Sequence, residues 1–185
     1  MESQISLYVA GRRACFTRPE FKAERVSYDF PPPTAARGIL ESVYWKPQVK
    51  YAIRSIAILK PIRWEVQTCN ERKGFFGAPV AEYTQRTSRI LVDVAYVIRA
   101  TLIAQDDNQK HFEMFNRRAR KGQSFRQVSL GRNEYPATEF GLPTEDHKPL
   151  RINQDFGWML HSIEYEHGFS PTPFRAVAVE GVVAV

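Results

Sequence analysis

The sequence predicts an α+β domain, and two observations carry that reading. Two short segments have the boundaries and apolar spacing of helices, and several others alternate apolar and polar residues or run rich in β-branched ones, as strands do. The 185 residues, 43% hydrophobic, suffice for one good core with a small appended lobe. We expect a main domain over residues 1–135 and a small C-terminal β extension over 136–185.

The first helix is the most sharply bounded segment. Pro31, Pro32 and Pro33 cannot continue a preceding element, Thr34 is a good N-cap, and Pro47 removes the donor that a further turn would need. Ala36, Ile39, Leu40 and Val43 recur at the spacing of a buried stripe. Arg37, Glu41 and Tyr44 fall on or beside its edges, so a guanidinium and a phenol should emerge next to the core rather than in it.

The strands follow in order. Ile5, Leu7 and Val9 alternate with Ser6, Tyr8 and Ala10, which predicts a first strand over residues 4–10 ended by Gly11. In the connection that follows, Arg12, Arg13, Arg18, Lys22 and Arg25 interleave with Phe16, Phe21, Tyr28 and Phe30. Cations that track phosphates and rings that stack on bases, at roughly 1–3 kcal/mol per base, suit a single-stranded nucleic acid. Phe16 and Phe30 read better as core anchors. Val49 to Leu59 is a strand, Pro61 interrupts, and residues 62–68 continue extended. Residues 72–79 read as a loop, with Phe75 and Phe76 the tip of a candidate clamp. Residues 90–104 predict a central strand, with Val94, Tyr96, Ile98, Ala100 and Leu102 on one face and Ala95, Val97, Arg99 and Thr101 on the other.

The second helix runs from about Gln109 to Lys121, capped by Asp106 to Asn108 and closed by Gly122, with Phe112, Phe115 and Ala119 as its buried stripe. Lys110 and His111 fall in its first turn, where free N–H groups and the helix dipole favour an anion and disfavour a charged imidazole. One of the pair could move a proton while the other holds a phosphate. Arg117, Arg118, Arg120 and Lys121 extend a positive face. Beyond it, residues 141–153 form a polar linker in which His147 looks solvated. Residues 155–166 read as a strand with Trp158, Leu160 and Ile163 in the core and a structural His161, and residues 173–185 as a hairpin turning at Glu180-Gly181.

Charge points the same way as the motifs. The net charge is +6 and the pI near 9.4. Residues 34–64, which include Arg37 and Lys46, hold six basic side chains and one acid, and residues 110–132 hold seven and one. Such clustering favours a polyanion. Cys15 and Cys69 make neither a disulfide framework nor a metal site, no metal or cofactor is implied, and no segment reads as membrane-spanning, so a cytoplasmic protein is expected. No glycine-rich phosphate loop, carboxylate pair or Ser/Cys nucleophile motif appears, which leaves little support for a small-molecule enzyme.

The blocks FTRPEFKAERVSYDFPPPTAARGILESVYWKP, ILKPIRW, AYVIRA and KHFEMFNRRARKGQSFRQ, with FRAVAVEGVV near the end, resemble in order the CRISPR-associated Cas-five proteins of subtype I-C, the Dvulg subtype of the RAMP superfamily. The resemblance implies a ferredoxin-like, RRM-related β-α-β-β-α-β core and a small C-terminal sheet. It implies cleavage of precursor CRISPR RNA within the repeat hairpin, without metal, by a subunit that stays in the Cascade surveillance complex with its other subunits. Double-stranded DNA is a further candidate partner. The alternative is a non-catalytic subunit that binds the CRISPR RNA 5′ handle or DNA. The family's proposed active residues fall here on Tyr44 of the YWKP motif and on Lys110 and His111 at the HFEM motif. Such relatives commonly carry Leu-Gly-Cys-Arg-Glu-Phe where this chain has Leu130-Gly131-Arg132-Asn133-Glu134-Tyr135, and they tend to continue further, which predicts a shortened C-terminal lobe.

Overall fold

The computed structural model describes residues 2–21, 24–73, 82–164, 168 and 170–185. Among the described residues nine strands form one curled sheet: β1 (Glu2–Ala14), β2 (Arg25–Val26), β3 (Val49–Ile58), β4 (Arg63–Lys73), β5 (Glu82–Ala104), β6 (Glu139–Gly141), β7 (Gln154–Glu164), β8 (Ser170–Val179) and β9 (Val182–Ala184). Two helices, α1 (Pro33–Val43) and α2 (Asn108–Arg120), join them. The main path runs β6-β1-β5-β3-β9-β8-β7, with every pair antiparallel. β4 pairs antiparallel and β2 parallel with β5.

β5 organises the sheet. Its 23 residues carry β1 along one edge, and along the other β4 beside its first half and β3 beside its second. The break between β3 and β4 falls at Pro61, which cannot donate to a ladder. The β5 alternation is as the sequence predicts. Val94, Tyr96, Ile98, Ala100 and Leu102 join the main core with Ile5, Leu7 and Val9, while Ala95 and Val97 pack with Tyr8, Ala10 and Ala57 in a smaller cluster. The strand begins at Glu82, so the polar residues before Ile90 are ladder as well, paired to β4 with one face open to solvent.

α1 contributes Ala36, Ile39, Leu40 and Val43 to the main core and α2 contributes Phe115 and Ala119. Each such Leu, Ile or Phe taken out of water contributes about 1.5–3 kcal/mol. Phe16 and Phe30 are fully buried, as core anchors should be. The cap of α1 is not the expected one. Pro32 stands at the N-cap without a side-chain bond, Pro33 is the first helical residue and Thr34 lies inside the helix. A proline there loses nothing, because its missing N–H would have had no helical partner.

Two further expectations are corrected at the C-terminal end. Trp158 is 67% exposed and Met159 takes its place in the core. The cause is a phase slip, since the β7–β8 register shifts between Asp155 and Trp158 and again after Leu160, and Gly157 at φ +76° reverses the alternation a regular strand would keep. His147 is half-buried rather than solvated, stacked on Tyr8 with ring centroids 3.7 Å apart. The hairpin does turn at Glu180 and Gly181, both at positive φ as a tight two-residue turn requires. Among the described residues no helix is long and apolar enough to cross a membrane.

Candidate active site

The end of α1 is pinned by donors from distant parts of the chain. A helix leaves its last carbonyls unpaired, and here those of Ser42, Val43 and the capping Tyr44 find partners. Ser42 O accepts from Phe125 N at 2.8 Å and Arg126 N at 3.1 Å, and Val43 O accepts from Arg118 Nη1 at 3.1 Å. Tyr44 O accepts from the Tyr51 hydroxyl of β3 at 2.6 Å. Tyr44 itself caps the helix in extended backbone. These bonds fix where its side chain goes.

α2 is held at its start. Asp107 caps it by accepting from Lys110 N at 3.1 Å. The buried Asn108 accepts from Ala104 N through Oδ1 and donates to Ser3 Oγ through Nδ2, which ties the helix to β5 and β1. His111, one turn in, faces the core.

Tyr44 and His111 meet there. The phenol oxygen and His111 Nδ1 are 2.6 Å apart, and His111 Nε2 is 2.8 Å from Asp106 Oδ1, in the link between β5 and α2. Tyr44 is 3% exposed and His111 5%, so the expectation of a phenol beside the core is corrected. The donors that close α1 turn the ring inward. The Arg118 guanidinium lies over that ring, 5.2 Å from its centroid. Burial raises the Tyr44 hydroxyl above the usual phenol pKa, with Asp106 adding to the rise and Arg118 opposing it. Burial likewise raises the Tyr51 hydroxyl, with Tyr44 adding to it. The buried phenol is therefore favoured in its neutral form, and which of the two atoms donates across the contact depends on the tautomer of His111.

Lys110 is exposed on the solvent side of the same turn, because successive helical residues point about 100° apart. The sequence neighbours thus take different roles in space, one inside with Tyr44 and one on the surface above it.

The expected RNA-contacting residues separate into groups. Arg12, Arg13 and Arg25 come together around a cleft of about 480 Å³ with Glu134 and Tyr135. Arg13 is paired to Glu65 at 2.8 Å. Arg18 is engaged internally, with Asp29 at 3.1 Å and the Tyr28 ring beneath it. Arg117, Arg120 and Lys121 are exposed along α2, and Lys46 is exposed just after Tyr44. Arg37 lines a groove of about 620 Å³ between α1 and β3, with Lys50, Arg54, His161 and Glu41, and its buried Nε has no hydrogen-bond partner. Lys22 and the Phe75-Phe76 tip lie outside the described residues.

Asp106 and Tyr51 are participants that the sequence reading did not single out for the site. Asp106 was legible only as one of a run of capping residues. Tyr51 was one β-forming residue among several. Among the described residues no cluster of three or more His, Cys, Asp or Glu side chains could hold a metal ion.

The fold is similar to that of a solved protein. A crystal structure described as a CRISPR-associated protein superposes with a TM-score of 0.80 at 24% identity, covering all of this chain and 93% of that one. The sequence matches the family described as CRISPR-associated protein (Cas_Cas5) over residues 5–185, so the chain belongs to the Cas5d family. Two curated relatives, both named CRISPR pre-crRNA endoribonuclease Cas5d, are similar in sequence. The protein from Mannheimia succiniciproducens is 42% identical over all of this chain and 96% of its own length. The one from Thermus thermophilus is 39% identical over 88% of this chain and 74% of its own length.

Proposed function

We propose that this protein is a precursor CRISPR RNA endoribonuclease that cuts within the repeat hairpin and remains bound to its product in a type I-C Cascade complex, in the cytoplasm. The observation that carries the reading is the buried Tyr44–His111 hydrogen bond of 2.6 Å, in a chain 42% identical to a protein named for that activity. The strand order β6-β1-β5-β3 with α1 and α2 between its strands supports a ferredoxin-like core, to which residues 136–185 supply β6 and the β7–β9 extension.

The chemistry needs no metal. The ribose 2′-hydroxyl attacks the adjacent phosphorus, the bond from phosphorus to the 5′ oxygen breaks, and the products are a 2′,3′-cyclic phosphate and a 5′-hydroxyl end. With its pKa raised, Tyr44 is a poor free-standing base, and His111 is the group able to accept a proton through it. Tyr44 orients the 2′-hydroxyl and hands its own proton to His111 as it takes the substrate's. That proton returns to the departing 5′ oxygen. The Lys110 ammonium, exposed at the first turn of α2, sits opposite the charge that develops on the phosphorane oxygens. General acid–base transfer of this kind is worth roughly 10²–10⁴-fold, and a well-placed cation acts on the remaining barrier. Arg37, Lys46, Arg117, Arg120 and Lys121 hold backbone phosphates around the site, and Arg12, Arg13, Lys22 and Arg25 do so along the other basic connection, while Arg18 and Arg118, engaged with Asp29 and with the end of α1, add positive charge without being free to leave those partners.

One observation favours a second reading. Tyr44 and His111 are both nearly closed to solvent, as a structural clamp between α1 and α2 would be. In that case the basic surface would serve a non-catalytic subunit that holds the CRISPR RNA 5′ handle, or duplex DNA. Labelled repeat RNA incubated with the protein in EDTA, beside Lys110→Ala and His111→Ala, separates the two. A single defined cut that both substitutions abolish while binding persists supports the nuclease. Tight, salt-sensitive binding with no cut by the wild type supports the handle-binding subunit.

A further inference from the structure

We infer that Asp106 is a positioning residue of the cleavage site, fixing the tautomer and the ring orientation of His111 so that Nδ1 faces the Tyr44 hydroxyl as an acceptor; the inference rests on the nuclease reading given above. An ionised carboxylate can only accept a hydrogen bond. The 2.8 Å contact between Asp106 Oδ1 and His111 Nε2 therefore requires the hydrogen on Nε2. In the neutral ring the other nitrogen then carries a lone pair, and this is the nitrogen 2.6 Å from the Tyr44 oxygen. The three groups make a directed chain in which Tyr44 donates to His111 and His111 donates to Asp106.

Two features mark the carboxylate as more than a cap. The N-cap of α2 is its neighbour Asp107, which accepts from Lys110 N, so the helix does not need Asp106 for its start. The partner that the structure gives Asp106 is His111 itself, at the mouth of an otherwise buried pair. Its side chain is 53% exposed, against 7% for that of His111, so it joins a dry pair to the wet surface. When His111 takes the proton, a carboxylate at hydrogen-bond distance offsets the new positive charge, which the dipole at the start of α2 would otherwise disfavour. The other polar group on the imidazole is the Tyr44 hydroxyl, with the Arg118 guanidinium over the Tyr44 ring, so Asp106 is the anion that the structure sets against His111. In the serine-protease triad, replacing the equivalent aspartate by asparagine leaves the geometry intact and costs about 10⁴-fold through the wrong tautomer.

The test uses the full chain with Asp106→Asn, and with Asp107→Asn as the control, since asparagine caps a helix about as well as aspartate. The tautomer of His111 is read from the nitrogen shifts of its ring by NMR, and the single-turnover cleavage rate and RNA affinity are measured in parallel. We expect the Nε2–H form in the wild type and in Asp107→Asn. In Asp106→Asn we expect a shift toward the Nδ1–H form and a cleavage rate lower on the order of 10²–10³-fold, with affinity within about twofold. An unchanged tautomer in Asp106→Asn, or a rate within about threefold of wild type, overturns the inference. If the wild type does not cut, the nuclease reading fails, and the functional role of Asp106 falls with it; the tautomer then shows only whether the carboxylate orients the ring.

Discussion

The Tyr44 hydroxyl and His111 Nδ1 stand 2.6 Å apart although 67 residues separate them in the chain. Neither residue reaches the other through its own helix alone. Tyr51 from β3, Arg118 from α2 and the backbone of Phe125 and Arg126 hold the end of α1, and Asn108 holds the start of α2 against β1 and β5.

Tyr44→Phe removes one hydroxyl and keeps the ring under Arg118. Cleavage should fall on the order of 10²–10⁴-fold. Stability should fall by about 1–3 kcal/mol, because a buried imidazole nitrogen loses its donor. Single-turnover cleavage and urea unfolding of the same preparation check the two effects separately.

Lys110→Ala should behave differently. The side chain is exposed and the cap bond to Asp107 is made by the Lys110 backbone, so stability should stay within about 0.5 kcal/mol of wild type. Cleavage should still drop by about 10²-fold or more, as expected for loss of a cation facing transition-state charge. A thermal melt beside the cleavage assay makes the comparison.

Arg117, Arg120 and Lys121 are exposed on one helix and should meet phosphates rather than bases. Replacing all three by alanine should weaken RNA binding whatever the sequence, and should flatten the slope of log affinity against log salt by about 2 if each neutralises one single-strand phosphate. A salt titration of the wild type and the triple variant measures this.

Acid should remove a small stabilising contribution at Glu134. The Arg132 guanidinium, 2.6 Å away, holds its carboxyl down to about 2 from an ordinary 4.5. A group with a depressed folded-state pKa contributes stability above its unfolded value, and that contribution is lost as pH falls from about 4.5 toward 2. The glutamate side chain is 58% exposed, so solvent screening limits the contribution to about 1 kcal/mol or less. Glu134→Gln should therefore be slightly less stable than wild type at pH 7 and equal to it near pH 2, by denaturant unfolding at both.

Much of the frame was legible because local chemistry agreed with tertiary need. Prolines bound α1 on both sides, Ala36, Ile39, Leu40 and Val43 face the core as their spacing implies, and the β5 alternation sorts its side chains to two clusters. The misses share a cause. A regular period of two points Trp158 inward until Gly157 breaks it, and helical spacing alone sets Tyr44 at an edge, although the helix end is held by Arg118, Phe125 and Arg126, far away in sequence. Asp106 was hidden among capping residues, because nothing in the string of letters distinguishes the carboxylate that caps from the one that reaches His111. Pairing and bulge geometry are non-local, so a one-dimensional pattern carries them poorly.

The most direct test of the account is the wild-type protein with two repeat RNAs in EDTA, one all-ribose and one carrying a single 2′-deoxy nucleotide at the scissile position. One cut is expected in the ribose substrate, leaving a 2′,3′-cyclic phosphate and a 5′-hydroxyl end, and none in the deoxy substrate at equal binding. Equal cleavage of both, or cleavage that appears only when divalent metal is restored, would contradict it.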